Sequence, residues 1–391
     1  MAKYQHVITL VDGELYGFPK IKRNESAAGT GPVIRMDLLE ENNIPVPGTW
    51  DELLDALIQL KEIYPDSTPW AVRNGTNQLL WTTAYSLGSG RGMYYDYDEG
   101  KYIFGPASEN FKEVLSFLNR AYEAGVLDPE YVTATGDSLS SKMCSGQSFF
   151  YEDNTGFCTS WTASLNELEG SEDAKLMVIP VLENSFGQRR AIGYAKVISG
   201  EFFAINAGAD NIEEIIKLID WMYSEEGSDI SNYGVEGVSF EYDENGEPQY
   251  IEDYVMQYKD GEPDGTYATY ASLGVSMLDF SLWSANTWTG EKISKIQGTW
   301  TDLTDEFWEI TNADDAYVQP AIDPALTAEE AERKSDITTD LNTYLAQLYD
   351  KYIMGDENIE NWDNVIKKLE DMGVRELEQI YNDANARALG Q

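Results

Sequence analysis

Apolar residues recur three and four positions apart in several segments of the chain, and this spacing predicts amphipathic helices. Thr49 with Glu52 forms a capping-box pattern before one such stripe, and Thr327 with Glu330 forms it before a longer stripe that extends to residue 352. Other stripes begin after Ser108, at Asn211 with Glu214, and over residues 362–369 and 377–388. We expect these stripes to be core faces, not cofactor sites.

Short apolar runs bounded by turn residues lie between the helical segments, at residues 7–10, 147–151, 175–181 and 201–205. Their length and their β-branched or aromatic content predict strands. Strands that alternate with helices of about ten residues or more predict an α/β fold with largely parallel sheets. Residues 242–265 are rich in Gly and Asp and are predicted to form a long exposed connection. The length of 391 residues favours two domains.

The chain is strongly acidic, with 69 Asp and Glu against 27 Lys and Arg and a net charge of −42. Such a field repels phosphate groups, so nucleic acid and anionic membranes are poor partners. With 42% hydrophobic residues, the chain can bury a large core. No stretch approaches the roughly 20 apolar residues of a membrane span, and residues 1–6 carry no apolar signal-peptide region. Taken as written, the chain would stay in the compartment where it is made.

Catalytic patterns are missing from the sequence. His6 is the only histidine, so a Ser or Cys nucleophile has no ordinary base, and neither GxSxG nor GxxxxGK[ST] occurs. Gly88, Gly90 and Gly92 follow a helical stretch, which favours a helix-ending turn over a phosphate-binding loop. A pair of carboxylates for glycoside hydrolysis stays open among the 69 acids. We predict no catalytic residues and no cofactor.

Metal sites are not predicted either. Asp96, Asp98 and Gly100 resemble part of a calcium loop, as do the residues around Asp243, yet neither run continues to the terminal Glu that such a loop requires. Turns before strands explain both runs more simply. Cys144 and Cys158 lack the spacing of a zinc site, so they are either two ordinary thiols or one local bridge.

Aromatic residues are abundant, with 10 Trp, 25 Tyr and 13 Phe. In an acidic chain without catalytic machinery, this abundance suggests binding of a flat polar object such as a sugar ring.

The segments read in order resemble a known family. They are residues 12–19, 33–39, 44–52, 191–205, 221–227 and 232–238. Together they resemble the bacterial extracellular solute-binding proteins, the substrate-capturing lipoproteins of ABC importers. Residues 232–238, with their Tyr-Gly-x-Glu-Gly motif, are similar to the LipO-like oligosaccharide-binding branch, and residues 327–353 and 362–373 are similar to its helical tail. The resemblance covers essentially the whole chain.

The resemblance implies a periplasmic-binding-protein-like class II fold, with two α/β lobes, a hinge and a C-terminal helical tail. Residues 1–20 would be a remnant of lobe 1 with the first crossover, and residues 21–190 would be lobe 2. Residues 191–320 would be the remaining part of lobe 1 with the hinge, and residues 321–391 would be helices that pack on lobe 2.

The family usually has a signal peptide, a lipid-bearing Cys and the first βαβ units before the first crossover. We therefore expect lobe 1 to be incomplete here. Three explanations of the missing part of lobe 1 are open: a gene fragment or miscalled start, an engineered truncation, and a variant that a partner completes. We favour the first. The full-length parent would be extracellular or lipid-anchored at the cell surface, with the signal peptide and lipobox absent from this chain.

Candidate ligand-binding residues follow from the resemblance and from carbohydrate chemistry. Trp161 is the leading candidate, in a loop after a strand that also carries Glu152 and Asn154. The remaining candidates are Arg35, Asn77, Gln78, Trp81 and Trp283, with Trp288 beside the last of these. Arg35 has the alternative role of a salt bridge with Asp37. Asn77 and Gln78 lie at a predicted helix start that would face the ligand.

The predicted function is that of the substrate-binding component of an ABC transporter. It would capture an oligosaccharide in the cleft between the lobes and deliver it to the transmembrane subunits of the permease, as a monomer and without enzymatic activity. Two alternatives remain: a carbohydrate-active enzyme of the glycosidase kind, and a binding protein that docks on a sensor kinase.

Overall fold

The computed structural model describes residues 17–22, 26–27, 30–190, 194–195, 198–256, 283–284, 296, 318, 321 and 323–390. The chain divides into two compact units. Unit 1 comprises Met1–Ser26 and Ala195–Glu306, and unit 2 comprises Ala27–Tyr194 and Phe307–Gln391. The predicted lobes have boundaries at residues 20, 190 and 320, and their identification with these units stays a prediction.

Strands and helices alternate through the described residues. The strands are β1 (Phe18–Lys22), β2 (Ser26–Ala27), β3 (Thr30–Arg35), β4 (Met93–Asp96), β5 (Lys101–Phe104), β6 (Phe150–Asn154), β7 (Leu176–Val178), β8 (Tyr194–Ala195), β9 (Ile198–Phe203), β10 (Phe240–Tyr242), β11 (Pro248–Tyr250) and β12 (Trp283–Ser284). The helices are α1 (Met36–Glu41), α2 (Trp50–Ile63), α3 (Gly75–Thr83), α4 (Asn110–Glu123), α5 (Gly136–Cys144), α6 (Phe157–Asn166), α7 (Ile212–Met222), α8 (Glu225–Tyr233), α9 (Glu252–Met256), α10 (Ala328–Leu345), α11 (Tyr349–Ile353), α12 (Trp362–Asp371) and α13 (Val374–Ala388).

The central sheet of unit 2 has β3 between β6 and β7, and both neighbours run antiparallel to it. Val33 lies opposite Tyr151 and Val178. Trp70 extends this sheet through a parallel bridge to Phe150. The prediction of largely parallel sheets is wrong for the ladders that β1, β3, β4 and β10 form, because five of these six pairings are antiparallel and that of β1 with β12 is parallel.

Burial on both faces of the sheet explains this error. Val33 belongs to one apolar cluster with residues of α5 and α6, while Ile34 belongs to a second cluster with residues of α2 and α4. Alternate residues of a strand point to opposite faces, so helices cover the antiparallel strand β3 on both sides. A continuous apolar run therefore indicates burial and leaves the strand direction open.

The C-terminal helices are part of the main core of unit 2. Trp362 is fully buried, its ring lies 5.6 Å from that of Phe111 at 27°, and its indole N–H donates to the Pro106 carbonyl at 3.0 Å. The Glu378 side chain accepts a hydrogen bond from the Phe104 N–H at 3.0 Å, which joins α13 to β5. The tail thus stabilises the unit that holds the central sheet.

Unit 1 contains the sheet with strand order β12, β1, β9, the helices α7 and α8, and the hairpin of β10 and β11. Residues 242–256 were predicted as part of an exposed connection, and they instead carry the end of β10, β11 and α9. The predicted strand at residues 7–10 lies outside the described residues, as do residues 257–265. Across the described chain, we find no helix that is both long and apolar enough to cross a bilayer.

The capping boxes at Thr49 and Thr327 are confirmed, because each Thr accepts from the N3 amide and each Glu accepts from the cap amide. At the described start of α7, by contrast, the Asn211 side chain makes no cap hydrogen bond. The helix predicted from Thr327 to residue 352 is divided into α10 and α11.

Strand positions also differ from the prediction. The strand predicted at residues 147–151 begins only at Phe150, because the Gln147 and Ser148 amides donate to the Lys142 carbonyl and close α5. The strand predicted at residues 175–181 is shorter in the structure, where it is β7. The strand predicted at residues 201–205 begins and ends earlier, as β9.

We expect Thr327→Ala to lower the free energy of unfolding by about 1 kcal/mol, since the N3 amide of α10 loses its acceptor. Urea unfolding followed by circular dichroism measures the change. Thr343→Ala is the matched control in the same helix, where the exposed hydroxyl donates only to the Thr339 carbonyl. It should change stability by less than about 0.5 kcal/mol. Equal losses in the two variants would contradict the role of the cap.

Candidate functional site

A polar cluster lies at the end of β6 in unit 2. Both carboxylate oxygens of Asp153 accept from the Arg73 guanidinium, at 2.7 and 2.6 Å, and one also accepts from the Gln78 amide at 3.1 Å. We call Arg73, Gln78 and Asp153 the Asp153 cluster. The hydrogen bond from Arg73 to Asp153 raises the pKa of the guanidinium. The Asp153 side chain is buried, whereas that of Arg73 is 29% exposed.

The local sequence creates this arrangement. Asp153 lies opposite Gly31 in the ladder of β3 and β6, so no side chain occupies the facing position. Asn154 then accepts the Gly156 amide at 2.8 Å, which turns the chain into α6. The predicted site residues Gln78 and Asn154 therefore lie at the same end of the sheet.

Aromatic rings follow the cluster. The guanidinium carbon of Arg73 lies 5.9 Å from the Phe157 ring centroid. The Phe157 ring stacks on that of Trp161, with centroids 4.6 Å apart and an angle of 20° between planes. Tyr151 meets Trp161 edge-on at 5.1 Å. Trp161, the leading candidate from the sequence, was predicted in a loop and lies instead on α6. It is 8% exposed, and its ring packs against Phe157, the ring that lies beside Arg73.

Glu152 precedes Asp153 on β6 and therefore points to the opposite face of the sheet. Its carboxyl group is buried and accepts a hydrogen bond from the Ser86 hydroxyl at 3.1 Å. Burial raises the pKa of Glu152 well above its ordinary value of 4.5. The structure thus places Glu152 close in sequence to the Asp153 cluster but on a different face.

Three predicted site residues lie on α3. Gln78 belongs to the Asp153 cluster, while Asn77 accepts a hydrogen bond from Arg91 at 2.7 Å. Trp81 is 38% exposed. The helix begins at Gly75, after Asn74 in a left-handed conformation with φ of 55°. These positions agree with a helix start near residue 77, as the sequence suggests.

Arg35 is separated from the other candidates. It is 4% exposed and donates to both oxygens of Asp37, so the alternative salt bridge with Asp37 is present. In the ladder, Ile34 lies opposite Phe150 and Thr30 lies opposite Asn154. At roughly 3.3 Å per residue, Arg35 is more than about 15 Å along the sheet from Asn154.

The remaining tryptophans divide between described and undescribed parts of the chain. Trp283 is in β12 of unit 1, and Trp288 lies outside the described residues. Arg73 was missed at the sequence level. Its signal is weak: it directly precedes the Asn74-Gly75 turn that starts α3, and its partner Asp153 is 80 positions away.

The acidic turns and the thiols have ordinary structural roles. Asp96 accepts the Asp98 and Glu99 amides between β4 and β5, and Asp243 accepts the Asn245 amide between β10 and β11, so the interpretation as turns is confirmed. Among the described residues, no group of three or more His, Cys, Asp or Glu could hold a metal ion. Cys144 and Cys158 are free thiols, and burial raises the pKa of Cys158 to about 12.

The arrangement of strands and helices defines the class of protein. The alginate-binding protein AlgQ2, in a crystal structure without calcium ion, is similar with a TM-score of 0.75 and 21% sequence identity. The match covers 98% of this chain and 77% of that chain. The fold is therefore periplasmic-binding-protein-like class II, as predicted, with a helical tail at the C-terminus.

Sequence comparison gives the family. The model of the bacterial extracellular solute-binding proteins matches residues 14–229, and this chain belongs to that family. Over 388 residues it is 21% identical to the polygalacturonan/rhamnogalacturonan-binding protein YtcQ of Bacillus subtilis. It is 22% identical to FusA of Streptococcus pneumoniae, a fructooligosaccharide ABC transporter substrate-binding protein. Each match covers 97% of this chain and 71% of the relative.

Proposed function

We propose that this protein is the substrate-binding component of an ABC importer and that it captures an oligosaccharide. The observation that carries the proposal is the family match over residues 14–229. YtcQ and FusA are both named for binding carbohydrate, which supports a sugar as the solute. The carbohydrates in the two names differ in charge, because polygalacturonan is acidic and fructooligosaccharides are neutral.

The Asp153 cluster offers the chemistry that a sugar needs. Arg73 and Gln78 provide N–H donors, and Asp153 provides acceptors, so hydroxyl groups can be bound in both directions. Phe157 lies beside Arg73, and Trp81 is partly exposed on the same helix as Gln78. Aromatic faces of this kind stack on the apolar side of a sugar ring. We assign the ligand to this end of the central sheet.

The predicted candidates take different parts in this proposal. The sugar contacts Gln78, Asn77, Asn154 and Trp81. Trp161 has a supporting role, because its ring stacks on that of Phe157. Glu152 acts from the other face of β6. Arg35, which is ion-paired with Asp37 at the far end of β3, is left out of the proposed site.

Membership of the family supports the cellular setting that we propose. The protein acts outside the cytoplasmic membrane, its partner is the pair of transmembrane permease subunits, and it works as a monomer without enzymatic activity. Units 1 and 2 correspond to the two lobes of the family. A glycosidase would need two carboxyl groups facing one another across a site. Glu152 and Asp153 do not suit that role, because they point to opposite faces of β6.

Calorimetric titration with a panel of neutral and acidic oligosaccharides tests the proposal. We expect at least one glycan to bind. We also expect Gln78→Ala to weaken that glycan by about 3- to 15-fold, the loss of one or two hydrogen bonds.

Gln59→Ala is the matched control, because Gln59 is an exposed helical glutamine that donates to the Asp55 carbonyl. The Gln59→Ala variant should bind the glycan with the same affinity as the unchanged protein. Failure of every glycan, together with binding of peptides, would overturn the proposed function.

A further inference from the structure

Arg190 is buried beside two adjacent tyrosine rings in unit 2. Its guanidinium carbon lies 5.4 Å from the Tyr85 ring centroid and 5.6 Å from that of Tyr94, and the residue is 4% exposed. One terminal nitrogen faces the Asp96 carboxylate at 3.7 Å. Cation–π contacts with both rings restrict the position of the guanidinium. Such a rigid, desolvated cation needs partners for each of its N–H groups.

The chain segment that ends at Arg190 carries two residues of a hydrogen-bonded polar group, Asn184 and Gln188. Gln188, two residues earlier in the chain, donates from its amide side chain to Asp98, and its backbone N–H donates to the Asn184 side chain at 3.1 Å. Asn184 donates to the Ser86 carbonyl at 3.0 Å, and the Ser86 hydroxyl donates to Glu152 at 3.1 Å. Tyr85 precedes Ser86. We call Tyr85, Ser86, Glu152, Asn184, Gln188 and Arg190 the Arg190 network.

Four buried polar atoms of this network have no hydrogen-bond partner within the structure described: the Tyr85 hydroxyl, Glu152 Oε2, Gln188 Oε1 and Arg190 Nη1. Each such atom is costly, because the group has left water and gained nothing in return. Native proteins keep few of these groups, and they rarely occur together without a reason. All four belong to the Arg190 network, where the hydrogen-bonding groups of a bound polar molecule would satisfy them.

The chemical types of the four atoms restrict that molecule. Arg190 Nη1 can only donate and Gln188 Oε1 can only accept. The Tyr85 hydroxyl can do either, and so can Glu152 Oε2 when the carboxyl group is protonated. A sugar hydroxyl both donates and accepts, so neighbouring hydroxyls can satisfy all of them. A carboxylate only accepts, so it would leave Gln188 Oε1 without a partner. It would also add a second negative charge beside Asp96, which already balances Arg190.

We propose that the Arg190 network binds neighbouring hydroxyl groups of a neutral sugar unit, and that the protein therefore selects neutral oligosaccharides over uronate-containing ones. Glu152 agrees with this choice, because burial raises the pKa of its carboxyl group well above the ordinary value and so favours the uncharged form. The inference rests on the proposed function and specifies the class of ligand.

Two exposed aromatic rings border the network. Phe186 is 44% exposed and lies over Gly88, where a Cβ would come within 2.4 Å of the ring. Gly88 has φ of 101°, so both its backbone and this contact require glycine. Tyr97 is 52% exposed and packs edge-on against Tyr95 at 5.0 Å. These rings offer apolar faces next to the polar atoms, the combination that sugar rings require.

Titration with matched trisaccharides tests the selectivity. We expect 1-kestose, maltotriose or xylotriose to bind, and trigalacturonate to bind at least about 10-fold more weakly than the best of these at the same ionic strength, as one leftover buried acceptor and one like-charge contact would require. Binding of trigalacturonate as tight as that of the best neutral probe would overturn the inference. It would leave the proposed function intact.

Tyr85→Phe tests the network itself. Removing the unpartnered hydroxyl should lower the affinity for the best neutral trisaccharide by about 3- to 10-fold. It should leave the melting temperature unchanged or slightly raised, because the folded protein loses a buried group that has no partner.

Tyr131→Phe is the matched control, since the hydroxyl of this buried tyrosine donates to Asp350 at 2.9 Å outside the network. It should lower the melting temperature by about 2 to 4 °C and leave affinity unchanged.

The opposite result for Tyr85→Phe, a lower melting temperature with unchanged affinity, would show that ordered water alone fills the network and would overturn the inference. Failure of every trisaccharide and longer glycan with the unchanged protein would instead count against the proposed function.

Discussion

Replacing Trp362 with alanine is expected to lower the free energy of unfolding by about 3 to 5 kcal/mol, the usual loss for a large buried ring. Trp362 is fully buried where α12 meets the rest of unit 2. Its ring stacks on Phe111 at 5.6 Å and meets Tyr352 edge-on at 4.9 Å. The substitution leaves a cavity among these rings and also leaves the Pro106 carbonyl without its indole donor.

Urea unfolding followed by circular dichroism measures this loss. Trp81→Ala is the control, because Trp81 is 38% exposed and its removal should cost far less. The loss of unfolding free energy in Trp362→Phe should lie between those of the two alanine variants. This variant keeps a ring in the core but loses the hydrogen bond to Pro106. Similar midpoints for Trp362→Ala and the unchanged protein would show that the tail helices do not contribute to the core of unit 2.

The helices of this protein could be predicted from the sequence because their signals are local. At Thr49 and Thr327, the cap residue and its Glu partner are three positions apart, and both boxes form. The tail helices α12 and α13 were found from their apolar spacing alone. Asn211 with Glu214 has a similar pattern without the cap hydrogen bond in the described structure, so the pattern indicates a helix start more reliably than the bond itself.

The candidate site depends on contacts that are distant in sequence. Gln78 meets Asp153 across 75 positions, and Arg73 meets it across 80. Whether Arg35 joins them is decided by the register of β3 against β6, which places Arg35 at the far end of the ladder. A single sequence specifies neither register nor strand direction when strands are buried on both faces. The role of Trp161 could not be predicted for the same reason. The local sequence does not distinguish a tryptophan in a loop from one that packs beneath another ring.

We expect the second large effect at Glu152, because burial in the folded protein favours the uncharged form of its carboxyl group. The residue is buried on β6, accepts one hydrogen bond from Ser86, and has its pKa raised well above the ordinary 4.5 by burial. In the unfolded chain the same group ionises near that ordinary value. Between the two pKa values, the unfolded state releases a proton that the folded state keeps. Stability therefore falls as pH rises through this window.

Glu152→Gln is expected to remove this pH dependence. Below about pH 4.5 both proteins carry an uncharged side chain, so their stabilities should differ little. Above it, the unchanged protein should lose up to about 1.4 kcal/mol per pH unit relative to the variant, until the folded-state pKa is reached. Urea unfolding at a series of pH values from 4 to 8 measures the gap.

Glu172→Gln provides a control of opposite sign. Glu172 is fully exposed, and hydrogen bonds from the backbone, first that of Gly170, lower its pKa. Its contribution is therefore present above the ordinary pKa and lost as pH falls, so the variant should be slightly less stable than the unchanged protein at neutral pH. Parallel stability curves for Glu152→Gln and the unchanged protein across pH 5 to 8 would mean that Glu152 is ionised in the fold. A charged Glu152 would then need a cationic partner, which the hydrogen bond from the neutral Ser86 hydroxyl does not provide.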